Sequence, residues 1–219
     1  MITADFLRSI PFFSGFTDEG LETVLRSVVS SVYHRGDMVF SEGEPAEALY
    51  ITLSGRVAIG NRSVDGRESV LDLMDPGDLF GEMALFDGKG RSAGARALEQ
   101  SEVAKIPYAP VRDHFETHAK ALWAVISLLN ERVRNSNEAI ADSVFLDVTG
   151  RTAKRLLEIA GDKDEFTLPV TQEELASMIG ASRERVNKAI AAFIRLGWLE
   201  QRDRTYRIID RKRLANRST

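Results

Sequence analysis

One stretch of the sequence, residues 117 to 144, limits the possible folds of this chain more than any other. Its apolar residues recur in steps of three and four, the near-heptad spacing of a helix that pairs along a seam. No glycine or proline interrupts it, and at ~1.5 Å per residue such a helix spans roughly 40 Å. Ser136 takes one seam position, where a polar residue can simply fix the register. We expect one long dimerisation helix, whose apolar seam is Leu122, Ile126, Leu129, Val133, Ile140 and Val144.

Composition places the chain among ordinary globular proteins of one or two domains, with 219 residues of which 28% are charged. The absence of cysteine excludes disulfides, cysteine-ligated zinc and iron–sulfur clusters. The first residues lack a basic segment followed by an apolar run, and the most apolar segment, 121–129, is too short to span a bilayer. We therefore expect a cytoplasmic protein with no membrane partner.

The net charge of −4 hides an asymmetry between the two ends of the chain. Residues 151–219 carry 15 Lys and Arg against 10 Asp and Glu, whereas the remainder carries 14 against 23. An acidic front and a basic back indicate that only the back meets a polyanion. An excess of five charges can also be an ordinary solvated surface, so a motif has to decide between these interpretations.

Residues 1–116 have the pattern of a small β-domain. Two short helices are predicted at 6–10 and 17–28, the second capped by Thr17. Short β-suited runs separated by glycine-containing turns then argue for a jelly roll or small barrel rather than a βαβ sheet. These predicted strands are Ser30–Tyr33, Asp37–Phe40, Leu49–Leu53, Arg56–Gly60, Ser69–Met74 and Glu102–Ile106.

The segment Phe80–Ala93 differs from a plain strand. Gly81 and the four residues after it can form a single helical turn, whose first N–H groups attract an anion. Arg91 can fork onto a phosphate, Ser92 adds a hydroxyl, and Glu82 can accept a hydrogen bond from a sugar hydroxyl. The alternative is a turn with a surface Arg–Glu pair, because a glycine-rich anion motif alone is a weak signal.

Residues 171–190 have the pattern of a helix-turn-helix. Thr171 and Glu174 form a capping box, Gly180 permits a tight turn, and Ser182 caps the second helix. With Val186 and Ile190 facing the core, the outer face of the second helix consists of Arg183, Glu184, Asn187 and Lys188. A hairpin of two helices with a purely structural role is the alternative.

The basic outer face, together with a predicted wing over 198–201 and 205–209, favours DNA as the partner. Arg183 can form two hydrogen bonds to guanine, and Glu184 can accept one from the amino group of cytosine. Lys188, unlike an arginine, cannot form two parallel hydrogen bonds to one base. The residues best suited to phosphate contacts are Arg185, Arg202, Arg204 and Arg207.

With these motifs the whole chain resembles the cyclic AMP receptor protein/FNR family of bacterial transcription regulators, and especially the cyclic AMP receptors of actinobacteria. In that family's phosphate-binding cassette a Gly-Glu pair precedes Arg-Ser/Thr-Ala by about ten residues. The resemblance implies that Gly81, Glu82 and Met83 contact ribose and phosphate, and that Arg91 and Ser92 bind the cyclic phosphate. It further implies adenine contacts from Ser136 and Asn137, with one helix from each subunit.

The resemblance implies an α+β protein with a cyclic-nucleotide-binding β-roll (1–116), a dimerisation helix and hinge (117–147) and a winged helix-turn-helix (148–219). We expect a homodimeric regulator that binds double-stranded DNA in response to cyclic AMP, with RNA polymerase as a further partner by family resemblance. The alternative is a regulator of the same family that responds to cyclic GMP or a cyclic dinucleotide, or to no effector. An enzyme is not supported, because no Walker loop, Rossmann fingerprint or catalytic set stands out.

Histidines give little support for a metal. His114 and His118 are four residues apart and would share a helical face, but no third ligand is evident. We expect both to be solvated near the start of the long helix, and we expect no metal site.

Overall fold

The computed structural model describes residues 2–62 and 68–218. It is an α+β fold, as predicted, and it divides into two compact units. The boundary lies inside the longest helix, between Arg134 and Asn135.

Two helices open the first unit, α1 (Ala4–Ser9) and α2 (Asp18–Ser27), with a 3-10 turn at Pro11–Phe13 between them. The side chain of Thr17 caps α2 by accepting a hydrogen bond from the backbone N–H of Gly20. Both predicted helices are therefore confirmed to within two residues.

Two antiparallel four-stranded sheets follow, in the orders β1-β8-β3-β6 and β2-β7-β4-β5. The six predicted strands are present, whereas β6 and β7 were not predicted. The strands are β1 (Val29–Tyr33), β2 (Met38–Phe40), β3 (Ala48–Ser54), β4 (Val57–Arg62), β5 (Glu68–Met74), β6 (Leu79–Phe80), β7 (Gly94–Ala97) and β8 (Ser101–Pro107).

Aromatic side chains form two buried clusters in this unit. In the larger cluster, Phe13 makes edge contacts with Phe12 and Phe16 at ring-centroid distances of 5.0 and 5.1 Å. In the smaller one, the ring of Tyr50 stacks on Phe80 at 5.5 Å beside Phe40. The smaller cluster forms the floor of the candidate site described below.

The long helix starts later than the sequence predicts. Helix α4 (Tyr108–Thr117) ends at His118, whose φ of −129° and ψ of 63° interrupt the helix. A 3-10 turn (Ala119–Ala121) then leads into α5 (Leu122–Phe145). The predicted start at 117 is therefore wrong by five residues, because the break occurs without a glycine or proline to mark it. The 24 residues of α5 still reach about 36 Å.

His114 is a second correction. It is buried rather than solvated, and its ring stacks on Phe16 at 4.0 Å and on His118 at 4.4 Å. Burial lowers the pKa of His114, and the neighbouring His118 lowers it further. The ring therefore acts as a core aromatic, while His118 is exposed as predicted.

The second unit has helices around a three-stranded sheet of order β10-β11-β9. The short strand predicted at 167–169 lies two residues earlier, and the last helix was not predicted. The elements are α6 (Val148–Ala160), β9 (Glu165–Thr167), α7 (Gln172–Ile179), α8 (Arg183–Arg195), β10 (Leu199–Arg202), β11 (Thr205–Ile208) and α9 (Arg211–Arg217). Within the two described ranges, no helix combines the length and apolarity that crossing a bilayer requires.

Gly20 of α2 packs closely against His114 of α4, so a larger residue at this position should be unfavourable. An exposed helical Gly→Ala change ordinarily stabilises by ~0.5–1 kcal/mol. Here a Cβ at Gly20 would lie 2.4 Å from Nδ1 of the buried His114. We expect Gly20→Ala to lower the free energy of unfolding by about 1–3 kcal/mol, as overpacking does, measured by urea denaturation. In a His114→Ala background the same change should cost much less, and a stabilised single variant would contradict this packing.

Candidate functional site

The candidate site is built around Gly81, which connects β6 to α3 (Met83–Asp87). Its φ of +75° favours glycine, and a Cβ there would lie 2.7 Å from Nη1 of Arg91. Its carbonyl oxygen accepts hydrogen bonds from Arg91 Nη1, at 2.7 Å, and from the hydroxyl of Tyr108. Burial raises the pKa of Tyr108, which keeps this hydroxyl protonated as a donor. Glycine is therefore required both by the backbone conformation and by the close approach of the arginine.

The guanidinium of Arg91 is buried, with the residue only 6% exposed. Its Nη2 donates to the carbonyl oxygen of Ala48 at 2.7 Å, and its Cζ lies 4.2 Å from the ring centroid of Phe40. Among the described residues, no carboxylate forms an ion pair with it, and its Nε has no hydrogen-bond partner. Nη1 also donates to the hydroxyl of Tyr108 at 3.1 Å. A buried cation that is held by neutral acceptors and ring faces, without an ion pair in the described ranges, favours an anionic ligand.

Glu82 is also buried, at 1% exposed, and its Oε1 accepts a hydrogen bond from Nη1 of Arg132 on α5. Nη2 of Arg132 donates to the carbonyl oxygen of Leu79 at 3.1 Å. The second carboxylate oxygen, Oε2, is buried without a partner within the described part of the chain. The surface Arg–Glu pair considered from the sequence does not form, since the partner of Glu82 is Arg132 rather than Arg91.

The structure brings five of the seven residues expected at the nucleotide together in the first unit. Besides Gly81, Glu82 and Arg91, these are Ser92 and Met83, whose Oγ and Sδ lie 3.4 Å apart. The other two, Ser136 and Asn137, are exposed on α5 beyond the unit boundary, and their part in binding stays a prediction.

Sequence reasoning missed Arg132. Its contact with Glu82 joins residues 50 positions apart, which no local pattern predicts. The one available signal was its position, a helical turn before Ser136 on the same helix.

The helix-turn-helix of the second unit forms as predicted. Thr171 and Glu174 make both hydrogen bonds of a capping box at the start of α7. Gly180 adopts φ +68° between the helices, and the side chain of Ser182 caps α8. Val186 and Ile190 are buried, so α8 packs with its predicted inner face.

The predicted DNA-reading residues lie on the opposite face of α8 and on the wing. The β10–β11 hairpin turns through Asp203, which has a positive φ of 54°. Nη2 of Arg204 donates to the carbonyl oxygens of Leu168 and Val170, each at 3.2 Å, so Arg204 also braces the segment before α7. All of the candidates are exposed, namely Arg183, Glu184, Arg185, Asn187, Lys188, Arg202, Arg204 and Arg207.

The two described ranges contain no group of three or more His, Asp or Glu side chains placed to hold a metal ion.

Comparison with known proteins assigns both units. Residues 31–118 match the model of the cyclic nucleotide-binding domain, and residues 150–217 match the Crp-like helix-turn-helix domain. The chain is 35% identical to the CRP-like cAMP-activated global transcriptional regulator of Mycobacterium tuberculosis, over 98% of this chain and 99% of that protein. The chain belongs to the CRP/FNR family of transcription regulators. It is therefore a DNA-binding regulator and not an enzyme.

A second relative and two solved structures are also similar to this chain. The cAMP-activated global transcriptional regulator Vfr of Pseudomonas aeruginosa is 32% identical over 79% of this chain and 86% of that protein. Among solved structures, FixK2 from Bradyrhizobium japonicum superposes with a TM-score of 0.79 at 21% identity, covering 88% of this chain and 98% of that one. The c-di-GMP responsive regulator CLP of Xanthomonas campestris gives 0.73 at 28% identity, covering 88% and 99%.

Asp147 lies in the junction between α5 and α6. Its side chain caps α6 by accepting a hydrogen bond from the Gly150 N–H at 2.8 Å, and it pairs with Arg217 of α9. The Gly150 hydrogen bond lowers the pKa of Asp147, and Arg217 lowers it further. The cap thus ties the start of α6 to the last helix of the chain.

We expect Asp147→Ala to lower the free energy of unfolding by about 1 kcal/mol at neutral pH, because the helix cap is lost. Because the folded-state pKa of Asp147 is lowered, the contribution of its charge is present above the ordinary pKa of 3.8 and disappears as the pH falls through the folded value. That contribution is modest, since the side chain is 61% exposed. Urea denaturation of wild type, Asp147→Ala and Asp147→Asn, between pH 7 and the most acidic pH at which the protein stays folded, measures both parts. The Asn variant should retain most of the cap at every pH, and an Asn variant as unstable as the Ala variant would contradict this assignment.

Proposed function

We propose that the chain is a homodimeric transcription regulator whose DNA binding depends on cyclic AMP. The observation that carries the proposal is the buried guanidinium of Arg91, which has no carboxylate partner among the described residues. Glu82, the residue after Gly81, has one carboxylate oxygen occupied by Arg132 and one without a partner in the described ranges. A cation and a carboxylate that meet the same short segment suit a ligand that carries both an anionic phosphate and neutral sugar hydroxyls.

In this proposal the cyclic phosphate meets Arg91 and Ser92, while the ribose and phosphate contact Gly81, Glu82 and Met83. Cyclic AMP is the favoured effector because the relatives in M. tuberculosis and P. aeruginosa are named as cAMP-activated. The resemblance of the fold to the c-di-GMP responsive regulator CLP makes a cyclic dinucleotide the second candidate. Calorimetric titration with cyclic AMP, cyclic GMP and cyclic di-GMP distinguishes these effectors.

Dimerisation through α5 accounts for apolar side chains that a monomer would leave in water. Ile126, Val133, Ile140 and Val144 lie on the predicted seam and are 44–70% exposed, and a large exposed apolar surface commonly marks an interface. Pairing two copies along this seam would bring Ser136 and Asn137 of both to the adenine. The α8 helices of the two copies would then enter successive major grooves, ~34 Å apart, on a near-palindromic site. RNA polymerase remains a partner by family resemblance.

Cyclic AMP can favour the DNA-binding arrangement only by binding it more tightly than the alternative arrangement. The test is selection from a pool of palindromic DNA with and without cyclic AMP. We expect enrichment of one palindrome in the presence of the nucleotide only. Enrichment that is equal with and without it would contradict the effector, and no enrichment would contradict the DNA-binding role.

The proposed phosphate contact predicts the effect of Arg91→Lys. Lysine keeps the positive charge but loses the planar fork, and it leaves fewer buried carbonyls without a donor than alanine would. We expect a loss of cyclic AMP affinity of about tenfold or more, the value of a charge-assisted hydrogen bond. Calorimetry measures it, with Arg112→Lys on the exposed face of α4 as the matched control. Equal affinity in wild type and Arg91→Lys would refute the phosphate contact.

The proposed base contacts predict different effects for two neighbouring arginines. Arg183→Ala should cost ~1–3 kcal/mol on the selected site and relax the preference at one base pair. Arg185→Ala should weaken binding to all sequences alike and reduce the salt dependence by about one charge. Fluorescence anisotropy on selected and random duplexes separates these effects. An Arg183→Ala loss of the same size on random DNA would count against direct base recognition.

A further inference from the structure

A cluster of three charged side chains joins the end of α5 to α6. Nζ of Lys154 lies 2.6 Å from Glu138 Oε1 and 2.5 Å from Asp142 Oδ2. The two carboxylates are four residues apart and therefore share one face of α5. Lys154 belongs to α6, on the other side of the two-residue junction between the helices. The cluster thus holds two helices at a defined angle rather than stabilising one of them.

This contact is better shielded than a typical surface ion pair. The side chains of Lys154 and Asp142 are 23% and 24% exposed, although Glu138 is largely in solvent. Burial by itself would lower the pKa of Lys154, but the hydrogen bonds to Asp142 and Glu138 raise it above its usual value. The lysine therefore stays charged, and both carboxylates favour its position.

Besides this cluster, Arg151 of α6 donates to the carbonyl oxygen of Leu146, in the junction directly after α5, at 2.6 Å. The nearby apolar residues Ile140, Val144 and Phe145 are exposed, so they do not pack the two helices together. On its other side, α6 is firmly attached to the helix-turn-helix. Nε of the same Arg151 donates to the carbonyl oxygen of Ile179 at the end of α7, at 2.9 Å. The angle between α5 and α6 therefore sets the orientation of α8 relative to the end of α5.

We propose that Lys154 is a positioning residue which, through Glu138 and Asp142, sets the half-site spacing that the regulator prefers. The proposal rests on the proposed function, in which two copies pair along α5 and bind two half-sites. One added base pair moves a half-site by about 3.4 Å along the duplex and turns it by about 34°. A dimer with a fixed angle at the junction discriminates against that change, whereas a loosened junction tolerates it.

The test compares wild type, Lys154→Gln and Asp142→Asn, with Arg155→Gln as the matched control. Arg155 is the next residue of α6 and pairs within that helix with Glu158, at 3.0 Å, so its loss removes the same charge without touching α5. Anisotropy at saturating cyclic AMP measures affinity for a single half-site and for paired half-sites at the preferred spacing and with one base pair added or removed. Thermal unfolding of each variant checks that it is folded.

We expect Lys154→Gln and Asp142→Asn each to reduce the preference for the best spacing by about threefold or more, the size of coupling between contacting residues. Affinity for a single half-site should not change, and Arg155→Gln and Lys154→Arg should keep the wild-type preference. An unchanged preference in Lys154→Gln and Asp142→Asn, or an equal loss in Arg155→Gln, would overturn the positioning role alone. Wild-type protein that binds one half-site as tightly as two would overturn the proposed function, and this role with it.

Discussion

The candidate site of the first unit depends on one constraint, the burial of an arginine guanidinium that has no ion pair within the described residues. Such a cation is tolerated only where carbonyl oxygens and aromatic faces surround it. Arg91 has both, in the carbonyls of Gly81 and Ala48 and in the ring of Phe40. Gly81, whose backbone is left-handed, thus supplies one of the two carbonyl oxygens that hold the guanidinium. The same arrangement is what an anionic ligand needs, because the charge is already desolvated and held in place.

Within the described residues, ion pairs attach α5 to its surroundings in both units. In the first unit, Arg132 of α5 donates a hydrogen bond to the buried carboxylate of Glu82, so a change at that carboxylate alters a contact of the helix. In the second unit, Lys154 forms ion pairs with Glu138 and Asp142 near the end of α5. Both contacts are made by residues of the same helix, Arg132 in its middle and Glu138 and Asp142 nearer its end.

Local signals made much of this fold predictable. The capping box at Thr171, the turn at Gly180 and the cap at Ser182 are local hydrogen-bonding patterns, and all three form. The strands separated by glycine turns were predictable for the same reason. The failures are nonlocal or unmarked: β6 is two residues long, and the helix break at His118 has no breaker residue. His114 is buried because Phe16 stacks on it from another helix. The partner of Glu82 could not be predicted either, since it comes from a residue 50 positions away.

The central claim is that nucleotide and DNA binding are coupled through this chain, and reciprocity tests it most directly. If cyclic AMP tightens binding to the selected operator by some factor, the operator must tighten binding of cyclic AMP by the same factor. The measurement is the affinity for cyclic AMP by calorimetry, in the absence of DNA and in the presence of saturating operator duplex. We expect saturating operator to raise the affinity for cyclic AMP by the same factor by which cyclic AMP raises the affinity for the operator. A duplex with a single half-site, too weak to bind, should leave the affinity for cyclic AMP unchanged. An affinity for cyclic AMP that the operator leaves unchanged would contradict it.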